Sequence, residues 1–316
     1  MRFLVIMDPA PSMVPELDTS FALIRGAQAR GHQVWHCEPH HLTASHLDLD
    51  ALARSIRVDD LPPHVVLGEP EQHQVASFDA VLIRKDPPFD ANYAYLTQQL
   101  DLVDDRTFVI NSPRGLRDAN EKLFALGFPE LVPRTLVSYQ PSRLLSFLDE
   151  IGGEGILKPL DGAGGAGVVR LSRTDRNARA LVDLLTAEGR RPALLQEYLA
   201  EGVEGDLRVM MLDGEPLGAI RRIPRGDDIR ANIHVGGTVM PAELDPAELA
   251  VVRTVGSRLR EAGLWFAGLD LIAGRLIEVN VTSPTGLQQL ARHRGRPLER
   301  DVVDWIERRV VLRGKS

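Results

Sequence analysis

The sequence contains a single cysteine, Cys37, among 316 residues, and only 5% of its residues are aromatic. One thiol excludes an internal disulfide framework and any zinc site that is built from several thiolates. No apolar run approaches the ~20 residues that a transmembrane helix requires. Residues 1–8 are too short, and too soon acidic, for a signal peptide. These absences predict a cytoplasmic protein that does not bind a membrane.

Basic residues are not in excess, since 37 Lys and Arg stand against 44 Asp and Glu, a formal net charge of −7. This balance argues against nucleic acid as the main partner. At about 100–200 residues per domain, the length predicts two or three domains with ample buried core. A hydrophobic content of 44% with 26% charged residues is typical of a globular protein. An enzyme of several domains is the class that fits best.

The first third of the chain alternates strand and helix patterns. The apolar run 3–7 predicts a buried parallel strand, and Asp18 or Thr19 can cap a helix that ends near Gly31. A strand at 33–37 completes a βαβ unit. Further buried strands are predicted at 80–83 and 107–110. Residues 1 to about 120 therefore read as a doubly wound α/β domain, with 44–74 expected to be irregular or edge structure.

The rest of the chain reads as α+β. Two hairpins are predicted to turn at Asp213-Gly214 and at residues 273–275, where the residues suit tight turns. A final helix carries Val302, Val303, Ile306 and Val310 on one face. The other predicted elements are strands at 134–138, 155–160, 168–171 and 193–198, and helices at 142–151, 178–188 and 246–262.

The glycine-rich segment 162–167 matches the pattern G-x-G-x-x-G, but a strand follows it instead of the helix that a dinucleotide site requires. No G-K-[ST] is present to form a P-loop. The segment is therefore interpreted as a loop between two strands, with Lys158 just upstream. The backbone N–H groups of such a loop can close over phosphates. A flexible connection without a ligand is the open alternative.

Glu278 and Asn280 are two residues apart on a predicted strand, so their side chains leave the same face. The hairpin can lay Asp270 beside them, and these oxygen donors suit Mg²⁺ that bridges nucleotide phosphates. Three polar groups facing solvent are the alternative. Lys122 is predicted on a helix, and Arg208 on a strand, where it can point at a phosphate. Arg221, Arg222, Arg225 and Arg230 are interpreted mostly as surface charge that could also neutralise phosphate.

Beyond these patterns, the chain resembles the bacterial glutathione synthetases of the ATP-grasp superfamily along almost its whole length. The most specific segments are R-K-D-P-P-F-D at 84–90 and N-V-T-S-P-T at 280–285. The remaining segments that carry the resemblance are 18–21, 111–113, 116–123, 157–162, 268–270 and 278–286.

The resemblance implies an α/β, Rossmann-like pre-ATP-grasp domain followed by the two α+β lobes of an ATP-grasp fold, divided as 1–121, 122–199 and 200–316. It implies a homo-oligomer that joins γ-glutamylcysteine to glycine through an acyl phosphate, with ATP and Mg²⁺, or Mn²⁺, as cofactors. The implied roles are as follows: catalysis by Arg208, Arg230 and Asn232; nucleotide binding by Lys122, Lys158, Gly162, Gly164, Gly165, Gln196, Glu197, Tyr198 and Asp206; substrate binding by Ser20, Arg84, Lys85, Asp86, Ser283 and Thr285; and metal binding by Asp270, Glu278 and Asn280.

Alternatives remain open at this point. An ATP-grasp ligase that acts on another peptide or amino acid would keep the ATP residues and alter the acid site. Two segments depart from the family pattern there, Gly236–Met240 and Gln288-Gln289. A nucleotide-sensing module would be expected to have lost Asp270, Glu278, Asn280 or the lysines, and all are present. An NAD-dependent enzyme is disfavoured by the strand after the glycine segment.

Overall fold

The computed structural model describes residues 1–46, 48–162, 164–225 and 237–314. Its first sheet contains seven strands, in which β2, β1, β6 and β7 are parallel neighbours. β4 pairs antiparallel with β2, β3 and β5. The elements are β1 (Arg2–Ile6), α1 (Thr19–Ala29), β2 (Gln33–Cys37), β3 (Leu42–Ala44), β4 (Leu49–Val58), β5 (Val65–Gln74), β6 (Ala80–Ile83), α2 (Ala91–Asp101), β7 (Phe108–Ile110) and α3 (Pro113–Asp118).

The second sheet has four antiparallel strands in the order β10-β9-β11-β8, covered by two amphipathic helices. Leu144 and Val182, one from each helix, are fully buried against it. The elements are β8 (Thr135–Ser138), α4 (Pro141–Glu150), β9 (Glu154–Pro159), β10 (Val169–Ser172), α5 (Ala178–Leu185) and β11 (Ala193–Glu197).

The third sheet is antiparallel, in the order β14-β13-β12-β15-β16. Both of its tight hairpins turn through residues with positive φ, at Asp213-Gly214 and Ala273-Gly274, as the sequence predicted. The elements are β12 (Asp206–Leu212), β13 (Glu215–Ile223), β14 (Thr238–Ala242), α6 (Pro246–Glu261), β15 (Phe266–Ile272), β16 (Arg275–Asn280), α7 (Leu287–Arg294) and α8 (Glu299–Arg313).

The hydrophobic cores of the first and third sheets are continuous, whereas the second sheet has a core of its own. A buried amide joins the first and third sheets. Asn111 donates from Nδ2 to the carbonyls of Phe266 (2.7 Å) and Val281 (2.8 Å), and its Oδ1 accepts from the Phe266 N–H (2.8 Å). The first and third sheets therefore form one packed body, and the second sheet borders it with fewer shared apolar contacts.

The structure corrects three expectations. Of the two alternatives for residues 44–74, irregular structure is wrong and edge structure is confirmed, because β4 and β5 form a long hairpin in which β5 is the edge strand. Lys122 lies in a turn after α3 and not on a helix. Arg222 is not surface charge, since only 3% of it is exposed. The predicted fold class is confirmed, whereas the domain boundaries at 121/122 and 199/200 stay a prediction.

Candidate active site

A cleft opens where the three sheets meet, and it gathers side chains that are far apart in the sequence. Its floor carries Arg208, Arg222 and Asn280 from the third sheet. Its first wall comes from the loop before α1 and from the end of β6. The other lining residues are Ser12, Val14, Leu17, Asp18, Asp86, Pro87, Glu121, Gly164, Thr282, Ser283, Pro284 and Thr285.

Asp270 is the most heavily paired carboxylate of the floor. It stands directly opposite Arg208 in the β12–β15 register, and the Arg208 Nε and Nη2 atoms donate to its Oδ1 (2.5 Å) and Oδ2 (3.0 Å). Arg222 Nη2 lies 3.0 Å from the same Oδ2. Burial alone would raise the pKa of Asp270, but the two guanidinium groups outweigh it and hold the pKa at about 2. Asp270 is therefore a carboxylate at neutral pH.

Arg222 also forms a two-point pair with Asp206, at 2.7 and 2.6 Å, so one guanidinium bridges two carboxylates. This residue was missed as a specific site residue by the sequence analysis. The available signal was register, because Asp206 and Arg222 are cross-strand partners on β12 and β13. The pair could have been found by aligning the hairpin around its Asp213-Gly214 turn.

Glu278 and Asn280 reach Asp270 from β16, as predicted. Glu278 is its cross-strand neighbour, and Asn280 Nδ2 donates to Asp270 Oδ2 at 3.1 Å. Glu278 Oε1 is 3.0 Å from Lys122 Nζ. One hairpin thus carries two carboxylates and an amide, with Asn280 hydrogen-bonded to Asp270 and Glu278 as the cross-strand neighbour of Asp270. These oxygen donors suit a hard divalent cation that would replace the lysine and arginine contacts.

Two buried lysines lie beside this set. Lys122 Nζ also donates to the Gly162 carbonyl at 2.7 Å, which ties it to the glycine loop. Lys158 Nζ donates to Gln196 Oε1 at 3.0 Å, and Gln196 Nε2 donates to Thr135. Burial lowers the pKa of Lys158, and the charge of Lys122 adds to that effect. An anion at this position would stabilise both ammonium groups.

The end of β11 carries the predicted Glu197, and Tyr198 follows it. Glu197 Oε2 accepts from the Arg134 N–H at 3.3 Å. The guanidinium of Arg170 stacks over the Tyr198 ring, 4.0 Å from its centre. Gly164, Gly165 and Gly167 have φ values of +61°, +84° and +72°, a left-handed backbone that the glycine loop can adopt without strain.

The predicted acid-binding residues divide into cleft-lining and supporting groups. Asp86, Ser283 and Thr285 line the cleft. Lys85 lies beside the cleft, where its Nζ is 2.9 Å from Asp8 Oδ1. Arg84 is 4% exposed and binds Ser20 Oγ (3.0 Å) and the Pro284 carbonyl (3.2 Å), so it joins the first sheet to the loop after β16. Its Nη1 atom has no hydrogen-bond partner within the described residues.

Glu121 is a second cleft residue that the sequence analysis did not single out. Its Oε1 accepts from Thr282 Oγ1 at 2.8 Å, and burial, together with the neighbouring charge of Glu278, raises its pKa.

Arg230 and Asn232, predicted to be catalytic, lie outside the described residues. Within the described ranges, no helix has the length and apolar content needed to cross a membrane.

The fold is an α/β domain followed by two α+β lobes. Two lysines, the glycine loop and the acidic β15–β16 hairpin, which carries Asp270 and Glu278, converge on one cleft. This combination defines an ATP-grasp enzyme. Residues 1–117 match the model of the prokaryotic glutathione synthetase N-terminal domain, and residues 121–295 match that of its ATP-grasp domain. The chain belongs to the prokaryotic glutathione synthetase family. It is an ATP-dependent ligase that forms glutathione and uses ATP with a divalent metal ion.

Similar proteins support this membership over nearly the full length. The chain is 42% identical to a glutathione synthetase of Gloeobacter violaceus over 313 residues, covering 97% of this chain and 96% of that protein. It is 40% identical to one of Bradyrhizobium diazoefficiens over 306 residues, covering 96% and 97%.

Solved structures show the same fold at lower identity. The ATP-grasp ligase PsnB complexed with minimal precursor has a TM-score of 0.64 at 20% identity, covering 96% of this chain and 97% of that one. The D-cycloserine synthetase DcsG has a TM-score of 0.64 at 18% identity, covering 89% and 92%.

Proposed function

We propose that the chain joins γ-glutamylcysteine to glycine through an acyl phosphate, with release of ADP and phosphate, in the cleft described above. The observation that carries this proposal is the convergence of four buried cations with the two carboxylates and the amide of the acidic hairpin. A carboxylate is a poor electrophile, so its oxygen must first accept the γ-phosphoryl group of ATP. The glycine amine then attacks the carbonyl carbon, and phosphate leaves.

Phosphoryl transfer brings anionic oxygens together, and the cations of the cleft would offset their repulsion. Lys122 and Lys158 would bind the nucleotide phosphates, because both ammonium groups are buried and Lys158 has no carboxylate within 4 Å among the described residues. Arg208 and Arg222 would exchange part of their contact with Asp270 for the transferred phosphate. Gln196, Glu197 and Tyr198 would line the adenine and ribose pocket, and Asp206 would keep Arg222 oriented. Arg230 and Asn232 are proposed to act near the acceptor carboxylate.

Mg²⁺ is the metal proposed, with Mn²⁺ as the alternative, because Asp270, Glu278 and Asn280 offer only oxygen ligands. The bound cation would neutralise charge on the phosphates of the nucleotide. The glycine loop, through Gly162, Gly164 and Gly165, would cover those phosphates and exclude water from the acyl phosphate.

The acid substrate carries two carboxylates and an ammonium group. The cleft wall offers the exposed carboxylate of Asp86, and two cations lie next to it in the chain: Lys85, which is paired with Asp8, and the buried Arg84. Ser283 and Thr285 supply hydroxyl groups for further hydrogen bonds, and Ser20 would act from behind the wall by holding Arg84. An apolar acid would desolvate the Asp86 carboxylate and the Ser283 and Thr285 hydroxyl groups without offering them partners, which disfavours it.

The test is a matrix of acids and amines, assayed for ADP release and for the peptide product by mass spectrometry. We expect γ-glutamylcysteine with glycine to give the highest kcat/KM, and activity to vanish with excess chelator and return with Mg²⁺. Mn²⁺ is added in a parallel arm. If another acid or amine gives a kcat/KM ten times higher than this pair, the ligase assignment stands and the substrate assignment is wrong.

We further propose that the protein is a cytoplasmic homo-oligomer. Cell fractionation would check its location, and sedimentation velocity would check its assembly.

A further inference from the structure

We propose that Gln288 is a positioning residue that fixes the wall of the cleft against which the acid substrate binds. This inference rests on the proposed function of the cleft and adds to it a specific determinant of acid affinity. The wall in question is the segment 12–18 between the first strand and α1, which we call the entry loop. Four of its side chains line the cleft: Ser12, Val14, Leu17 and Asp18.

The entry loop makes few apolar contacts of its own. Val14 is 48% exposed and Leu17 is 37% exposed, and of residues 13–17 only Met13 is buried. Two backbone hydrogen bonds to the Val14 carbonyl, from the N–H groups of Leu17 (3.0 Å) and Asp18 (2.9 Å), give the loop a turn. A turn fixes local shape but does not fix the position of the loop relative to the third sheet.

That position is set by the packing of Met13 in the core that also contains Leu287, and by hydrogen bonds from α7. Gln288 Nε2 donates to the carbonyl oxygens of Pro15 (2.5 Å) and Asp18 (2.6 Å), and Arg292, one turn further along, donates to the Glu16 carbonyl. Gln288 is 7% exposed, so water competes little for these bonds. Both amide hydrogens of the side chain are used, and both partners can only accept.

The residues just before α7 form the opposite wall, and two arginines hold it. The carbonyls of Pro284 and Thr285 accept from Arg84 (3.2 Å) and Arg208 (2.9 Å), which holds the cleft-lining segment 283–285. Gly286 then turns the chain into the helix with φ of +121°, and an added Cβ there would lie 3.3 Å from Arg208 Cγ. One short segment, 284–292, therefore sets the distance between the entry loop and the phosphate-binding arginines.

Two variants and a matched control test this role. Gln288→Ala removes both donors, and Gln288→Glu puts a carboxylate against two carbonyl oxygens. We expect the KM for γ-glutamylcysteine to rise about tenfold in Gln288→Ala and further in Gln288→Glu, with the KM for ATP within about twofold of wild type. His293→Ala, an exposed position on the same helix, should leave both constants unchanged. A parallel rise in the KM values of all substrates, or no rise for the acid, would overturn the proposal.

A second measurement needs no substrate and so separates this inference from the proposed function. Cys37 is 1% exposed, and burial raises its pKa to about 12, so a spin label attached to Val14→Cys would be the single probe. Its mobility should increase when Gln288→Ala is added and stay unchanged with His293→Ala. If the mobility of the label does not increase in Gln288→Ala, the positioning role is refuted, even in an active enzyme. A wild-type protein that makes no glutathione would refute the proposed substrate and leave this measurement valid.

Discussion

Arg208 and Asp270 face each other across two neighbouring strands and form a two-point ion pair, with Nε–Oδ1 at 2.5 Å and Nη2–Oδ2 at 3.0 Å. One partner is a proposed phosphate ligand and the other a proposed metal ligand. Lys122 and Glu278 repeat this relationship at 3.0 Å. Two of the proposed phosphate ligands are therefore paired with two of the proposed metal ligands, and nucleotide with metal would replace these contacts with equivalent ones.

Asp270→Asn should abolish most of the turnover, because it removes the charge of the proposed metal ligand while keeping the size of the side chain. We expect kcat to fall at least about 100-fold. The free energy of unfolding should fall by roughly 3 kcal/mol, since Arg208 and Arg222 lose a buried anionic partner. ADP release and urea unfolding measure the two effects. Glu243→Gln, at an exposed surface pair, is the control and should change neither quantity. Wild-type metal dependence in Asp270→Asn would contradict the metal assignment.

The pH dependence of stability should report the same carboxylate. The pKa of Asp270 is about 2 in the folded protein, below its usual 3.8, so its contribution is complete above about pH 4 and is lost as the pH falls toward 2. The shift corresponds to roughly 2 kcal/mol. Because the Asp270→Asn variant lacks a titrating group at this position, the gap in unfolding free energy between wild type and variant should narrow from pH 6 to pH 3. Urea titrations at the two pH values measure it, and a constant gap would contradict the prediction.

Lys158→Met should weaken ATP binding without harming the ligand-free fold. The Lys158 ammonium is buried against the neutral Gln196 amide, so its replacement by an apolar chain of similar length relieves a desolvation cost. We expect the KM for ATP to rise at least about tenfold and the melting temperature of the free protein to stay equal or increase. Lys85→Met is the matched comparison, which should raise the KM for the acid and not that for ATP. A marked loss of stability in Lys158→Met would show that the lysine is structural.

Local patterns predicted much of this molecule. The apolar runs located β1, β6 and β7, and the tight-turn residues located both hairpins of the third sheet. The β4–β5 hairpin was missed because β5 is exposed on most of its length and contains Gly68 and Pro70, which weaken any strand pattern. Its pairing with β4 is a long-range contact that periodicity does not encode.

The candidate site, too, was predictable from local patterns only in part. Asp270, Glu278 and Asn280 could be brought together from strand alternation and one turn, because all three lie on a single hairpin. Arg222 required the register of another hairpin, and its burial depends on Asp206 and Asp270 from two other strands. The contacts of Gln288 with the entry loop join residues that lie at opposite ends of the chain, so only the folded chain reveals them.

The last prediction concerns two glycines of the loop. At Gly162 an added Cβ would lie 2.6 Å from Pro159 Cγ and 2.7 Å from the Ala166 carbonyl oxygen, which are contacts too short to keep. Gly162→Ala must therefore displace the loop, and with it the carbonyl that accepts from Lys122. Gly164 has open space around its Cα, and Gly164→Ala meets only the cost of a φ of +61°, about 1 kcal/mol. We expect kcat/KM for ATP to fall about 10- to 100-fold in Gly162→Ala and no more than about fivefold in Gly164→Ala. Steady-state kinetics with saturating acid and amine measure the difference, and equal losses would show that backbone freedom, and not the contact with Pro159 and Ala166, limits the loop.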